Sequence, residues 1–187
     1  KKITEVFERD VNLSYKLLRY SNSAAFKRRA EISTIKQALI VLGNEEIKRF
    51  LSLLFAAQVA ADKPAELIRL SLTRARFTEL LAISHGQLRD TGMAFLTGMM
   101  SLMDAILDED MPSVMKKLPL SNDIKAALLD EEGQLAVYLR LVKQYEQANW
   151  QGAKDIQHEL GLAPEEVPDA YHDAVNWANE QMSVFGD

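Results

Sequence analysis

The sequence predicts an all-α protein, a compact multi-helix bundle, and three observations carry that expectation. Apolar residues recur at the three- and four-residue spacing of a helix face along most of the chain. No stretch alternates apolar and polar residues over a useful strand length, and no Asn-Gly or Asp-Gly pair marks a hairpin. Glycines and prolines are few, 8 and 5 in 187 residues, so the connections are short and the elements many.

Asp10 is placed to cap a first helix whose apolar positions are Leu13, Leu17, Leu18 and Tyr20. Ser33 or Thr34 caps a second, with Ile35, Ala38, Leu39 and Leu42 on one face and Gly43 as its stop. Asn44 then opens a third, favoured by Glu45 and Glu46 in its first turn, and its apolar width through Ile47, Phe50, Leu51, Leu54 and Phe55 predicts a largely buried element. Pro64 suits the first turn of a helix that runs to about Ser84, before His85-Gly86. The next is expected over residues 92–107. It is apolar on nearly every side and holds four of the seven methionines, the pattern of a central core helix. Short helices follow from Pro112, from Ser121 and over 134–149. Two more cover 150–160 and the stretch from Pro164 to about Phe185. The expected organisation is a bundle over residues 1–149 and a small C-terminal helical extension over 150–187, packed on the same domain. The expected core comprises Phe26, Ile35, Leu42, Phe50, Leu54, Phe95 and Met99.

Composition narrows the function. No run approaches the roughly 18 apolar residues of a membrane crossing. There is no cysteine, so disulfides, thiolate metal sites and cysteine nucleophiles are excluded. Glycine-rich phosphate loops are absent. The net charge of -5 argues against a general polyanion binder, yet it is unevenly spread. Residues 1–61 carry +5 and residues 62–187 carry -10. Lys27, Arg28 and Arg29 form the one basic cluster, too small for a nucleic-acid footprint; it suits a solvated loop, or a docking face for an acidic protein surface. Of the three histidines, His172 stands beside Asp173, the pair at the centre of metal-dependent phosphohydrolases; only His158 is near, and the surrounding pattern reads as an ordinary amphipathic helix.

Two segments taken together carry a resemblance. Leu17 to Phe26 (LLRYSNSAAF), then Ile32 to Ala38 (ISTIKQA), then Leu42-Gly43, resemble the signature of the HDOD module, the HD-related output domain of bacterial signalling proteins. Ser71 to Arg76 and Ala94 to Met100 continue it. With Met111-Pro112 and Leu118-Pro119-Leu120 they look most like the modules that follow an EAL domain of the cyclic di-GMP phosphodiesterase type. The resemblance implies a degenerate HD-like bundle used for regulation. It sets Ser71 where HD enzymes carry a first histidine, and Ser101-Leu102 where they carry the His-Asp pair. Hydroxyls and a leucine lack the charge and basicity of hydrolytic metal ligands.

The expected protein is therefore a non-catalytic, cytoplasmic regulatory or interaction module. It needs no cofactor, and its partner is another protein or an adjoining EAL-type domain; self-association is open. Nucleic-acid and membrane partners are not expected. Asn22, Ser23 and Arg74, with the basic cluster, are the candidate partner or ligand contacts, although a structural turn between two helices is the better reading of Asn22-Ser23. The alternative is an HD-type metal-dependent phosphohydrolase acting on a nucleotide.

Overall fold

The computed structural model describes residues 2–23, 26 and 31–185. Among these residues it contains eleven helices and no strand. The chain divides into two compact units: residues 1–61 with 179–187, and residues 62–178.

The first unit is built from α1 (Lys2–Glu8), α2 (Val11–Ser21), α3 (Ile35–Val59) and the last turns of α11 (Glu166–Phe185). The apolar pattern does not mark α1, a short helix of seven residues. Asp10 caps α2 by accepting the Leu13 N–H at 3.0 Å. Of the two candidates before α3, Thr34 is the cap, its hydroxyl accepting the Gln37 N–H at 3.2 Å. At Gly43 the backbone turns to φ 73°, ψ 173°, outside helical space, and then resumes as helix. A side chain is strongly disfavoured at those angles, so the expected stop is a break between two helical segments.

Aromatic rings fill the centre of this unit. Phe50 lies 5.3 Å from Tyr20, 6.0 Å from Phe7 and 5.6 Å from Phe185 between ring centroids. The half-buried Phe26 stands edge-on to Tyr20 at 5.2 Å. The buried face of the second segment of α3 is Phe50, Leu53 and Ala56, continued by Ala60 at its C-cap. Leu54 is only half-buried, while Leu51 and Phe55 are 46% and 39% exposed. The expectation of Leu54 in the core is corrected by one position, to Leu53. An apolar width on both flanks hides which flank faces inward.

The second unit holds α4 (Ala65–His85), α5 (Gly92–Met100), α6 (Met103–Leu107), α7 (Met111–Lys117), α8 (Asn122–Leu129), α9 (Gly133–Glu146), α10 (Trp150–Glu159) and the start of α11. Gly86 ends α4 in the left-handed conformation at φ 70°. Asp110 and Ser121 cap α7 and α8 through the N–H groups of Ser113 and Ile124. The single helix expected over 92–107 is two. Ser101 turns its hydroxyl onto the Gly98 carbonyl at 2.7 Å, and Leu102 leaves helical space at φ -116°, ψ 9°. No glycine or proline announces that break.

The core of this unit gathers Phe77, Leu81, Ala94, Tyr138, Leu141, Val142, Ile156 and Val167. Phe95 and Met99 of α5 are buried as expected. The α4–α5 crossing is close: a methyl group on Gly98 would come within 2.4 Å of the Arg74 carbonyl oxygen. No helix among the described residues is long and apolar enough to cross a membrane.

Candidate functional site

The close α4–α5 crossing brings the flagged positions of those helices together. Ser71, Arg74 and Thr78 recur at three- and four-residue spacing, so they share the face of α4 that meets α5. Ser71 is 1% exposed, and its hydroxyl donates to the Met99 carbonyl at 2.9 Å. Thr78 donates to the Arg74 carbonyl at 2.6 Å. Both hydroxyls are thereby committed to backbone oxygens inside the unit.

Arg74 is the charged centre of the arrangement. Its Nε and one terminal nitrogen donate to the two carboxylate oxygens of Glu146, each at 2.8 Å. The other terminal nitrogen donates to Ser101 Oγ at 3.1 Å. The two side chains are 12% and 19% exposed, so this is a two-pronged pair in a mostly dry setting, where such pairs are strongest. Glu146 ends α9, where the negative end of the helix dipole disfavours a carboxylate. The guanidinium offsets both the dipole and the desolvation. Glu146 escaped the reading of the sequence because nothing in the composition links it to an arginine 72 residues earlier.

This geometry binds helices together. Ser71 spends its proton on a carbonyl, Ser101 is held between Arg74 and Gly98, and Leu102 contributes a half-buried aliphatic side chain. Among the described residues no three His, Asp or Glu side chains converge into a metal cage. His172 is exposed on α11, with its Nε2 3.0 Å from the Asn176 amide, and Asp173 beside it is exposed as well.

A second polar contact marks the far end of α4. His85 Nδ1 and the Tyr138 hydroxyl share a hydrogen bond of 2.7 Å. Burial pushes the Tyr138 phenol above its usual range, against a weaker opposing effect from Gln134.

In the first unit Asn22 is a clamp. Its side-chain N–H groups donate to the carbonyls of Leu18 and Ile32, at 2.9 and 2.8 Å, and its Oδ1 accepts the Ile32 N–H at 2.7 Å. The amide thus ties the end of α2 to the segment before α3, the turn role that suits asparagine. Ser23 Oγ is buried with no hydrogen-bond partner among the described residues. Lys27, Arg28 and Arg29 lie outside the described residues. Asn22 and Ser23 belong to the first unit and Arg74 to the second.

Residues 1–118 match the HDOD domain. The chain belongs to the HDOD family. It is 37% identical over 179 residues to the cyclic di-GMP phosphodiesterase CdgJ of Vibrio cholerae, covering 96% of this chain and 41% of that protein. It is 32% identical over 187 residues to the uncharacterized protein YuxH of Bacillus subtilis, covering 98% of this chain and 45% of that one. The HDOD chain therefore spans less than half the length of these relatives. No solved structure matches it. The HDOD match ends before α8, so Glu146 and the α9–α11 region lie beyond the part of the chain that shows the family.

Proposed function

We propose that this HDOD chain is a non-catalytic regulatory module of a cyclic di-GMP signalling protein, acting in the cytoplasm on an adjoining EAL-type domain or another protein. The observation that carries the reading is the Arg74–Glu146–Ser101 lock, with Ser71 turned onto Met99. The resemblance to HD hydrolases places metal ligands at Ser71 and Ser101-Leu102. Here those positions carry neutral groups engaged in helix packing, which lack the charge and basicity of metal ligands. On this reading, the phosphodiesterase activity in the name of CdgJ belongs to the part of that relative which the HDOD chain does not span.

Surface composition supports a protein partner. Among the described residues, eight of the twelve exposed large apolar side chains lie in the first unit, including Ile3, Val6, Tyr15, Leu51 and Phe55. That concentration in one unit supplies the apolar side chains that a partner-docking surface would need.

The test is elemental analysis of purified protein together with assays on phosphomonoesters, cyclic dinucleotides and nucleotides. No stoichiometric Fe, Mn or Zn and no turnover are expected. One tightly held metal equivalent, with an activity lost on replacing His172 or Asp173, would overturn the proposal in favour of an HD-type phosphohydrolase.

A further inference from the structure

The second unit carries an aromatic hollow beyond the residues matched by the family. Trp150, Lys154, Gln157 and His158 recur at helical spacing and share one face of α10. Facing them are Tyr145, at the end of α9, and Pro164 and Pro168, before and within α11. The hollow measures about 540 Å³. Small-molecule sites occupy roughly 300–1,000 Å³ and combine aromatic walls with a few polar groups.

The walls are held from within. Phe77 is fully buried and packs edge-on against Tyr145 at 5.6 Å, and Tyr145 packs edge-on against Trp150 at 5.1 Å. Tyr171 closes the cluster, 4.9 Å from Tyr145 and 5.6 Å from Phe77. Trp150 is nevertheless 59% exposed, so a large indole is fixed by one ring contact while much of its surface stays open to a ligand. The α9–α10 turn that positions it is tight. Asn149 caps α10 by accepting the Gly152 N–H at 3.1 Å, and a methyl group on Gly152 would come within 2.5 Å of Gln144 Oε1.

Charge selects the occupant. Residues 62–178 hold 11 basic and 19 acidic residues, yet among the described residues no carboxylate lines the hollow. Lys154 and His158 do, and neither forms an ion pair among the described residues. In an acidic unit this is a local anion-favouring spot beside a free aromatic surface. Lys154 stands about 6 Å of helix rise from Trp150, so one ligand can reach both.

We infer that the hollow binds a nucleoside phosphate, its base stacked on Trp150 and its phosphate held by Lys154 and His158. Base stacking on an exposed aromatic side chain tolerates any base, and the lysine supplies the charge that a phosphate needs. The inference does not depend on the regulatory reading, because it concerns a different surface.

The experiment titrates the whole chain with GMP, with AMP, with a cyclic purine dinucleotide, with inorganic phosphate and with an acidic proline-rich peptide. Tryptophan fluorescence is the first readout: Trp177 is 7% exposed and packed edge-on against Phe95, so quenching by added ligand reports on Trp150. Saturable quenching by a mononucleotide or by the cyclic dinucleotide is expected, and the comparison of the two identifies the source of the phosphate. Calorimetry on Trp150→Leu and Lys154→Glu should then show at least tenfold weaker binding. Lys154 is exposed, so its variant should keep the helical circular dichroism of the parent. Absence of saturable quenching up to millimolar nucleotide would overturn the inference. So would unchanged affinity in both folded variants, or binding of the peptide or inorganic phosphate alone.

Discussion

Arg74 on α4 and Glu146 at the end of α9 meet through two parallel hydrogen bonds of 2.8 Å, across 72 residues of sequence. The pair joins the segment matched by the HDOD family to the helices that follow it. Both groups are mostly desolvated, so each is costly without the other. Arg74→Ala, which strands the carboxylate at a helix C-terminus, should cost about 1.5–3 kcal/mol in a urea unfolding series. Arg74→Met with Glu146→Leu should recover much of that loss, because two apolar side chains leave no charge to be desolvated. A double variant as unstable as the single one would assign the loss to packing alone.

Gly98→Ala tests the crossing beneath that pair. The added methyl would sit 2.4 Å from the Arg74 carbonyl oxygen and 2.7 Å from Thr78 Oγ1. One of these contacts is backbone, so relief requires α4 and α5 to move apart. Overpacking of this kind costs about 1–3 kcal/mol. Thermal unfolding should show the loss despite alanine's better helix propensity, whereas a stabilised variant would mean that the helices separate freely.

The all-α architecture was legible in the sequence because caps and stops act locally. Asp10, Thr34, Gly86 and Ser121 each delimit a helix through groups within four residues of themselves, and Gly43 breaks α3 through its own backbone angles. The break at Ser101-Leu102 was not legible, since a serine hydroxyl bonding backwards leaves the same composition as an unbroken helix. The site was half legible. Ser71, Arg74 and Ser101 could be singled out, the two serines from the resemblance and Arg74 as a candidate contact; in the structure Arg74 bonds Ser101, while Ser71 bonds the Met99 carbonyl. Their partner Glu146 could not, because a long-range ion pair has no sequence period. Asn22 was recognised with a turn role open, and its three bonds to Leu18 and Ile32 fill that role.

The corrected register of α3 separates two adjacent leucines. Leu53 is 1% exposed and Leu54 half-buried. Leu53→Ala should therefore cost about 2–5 kcal/mol, the range for a large aliphatic side chain removed from a core, and Leu54→Ala distinctly less. Chemical denaturation of the two variants in parallel decides it. A reversed order would restore the register that the apolar pattern alone implied.

Gln181 on α11 is fully buried, and neither its amide oxygen nor its amide nitrogen has a hydrogen-bond partner among the described residues. An unsatisfied buried polar group costs about 1–3 kcal/mol. Gln181→Leu keeps nearly the same bulk and removes both orphaned groups, so the variant should melt at a higher temperature than the parent. A lower melting temperature would show that a partner such as ordered water satisfies the amide.

Alkaline pH offers a readout of the His85–Tyr138 contact. Burial raises the Tyr138 phenol above its ordinary value of 10.0, and burial also raises Tyr145, with the neighbouring Tyr171 adding to the effect. Above pH 10 the unfolded chain loses these phenolic protons while the folded chain retains them. The unfolded state then binds fewer protons, so stability falls as pH rises from about 10 through the folded-state values. Below pH 10 the same groups add no slope. Tyr138→Phe removes one of the two phenols, and it leaves His85 Nδ1 without its 2.7 Å partner. The variant should be less stable than the parent at pH 8, and its stability should decline less steeply between pH 10 and 11. Parallel slopes for parent and variant would show that Tyr138 ionises as freely in the folded protein as in the unfolded chain.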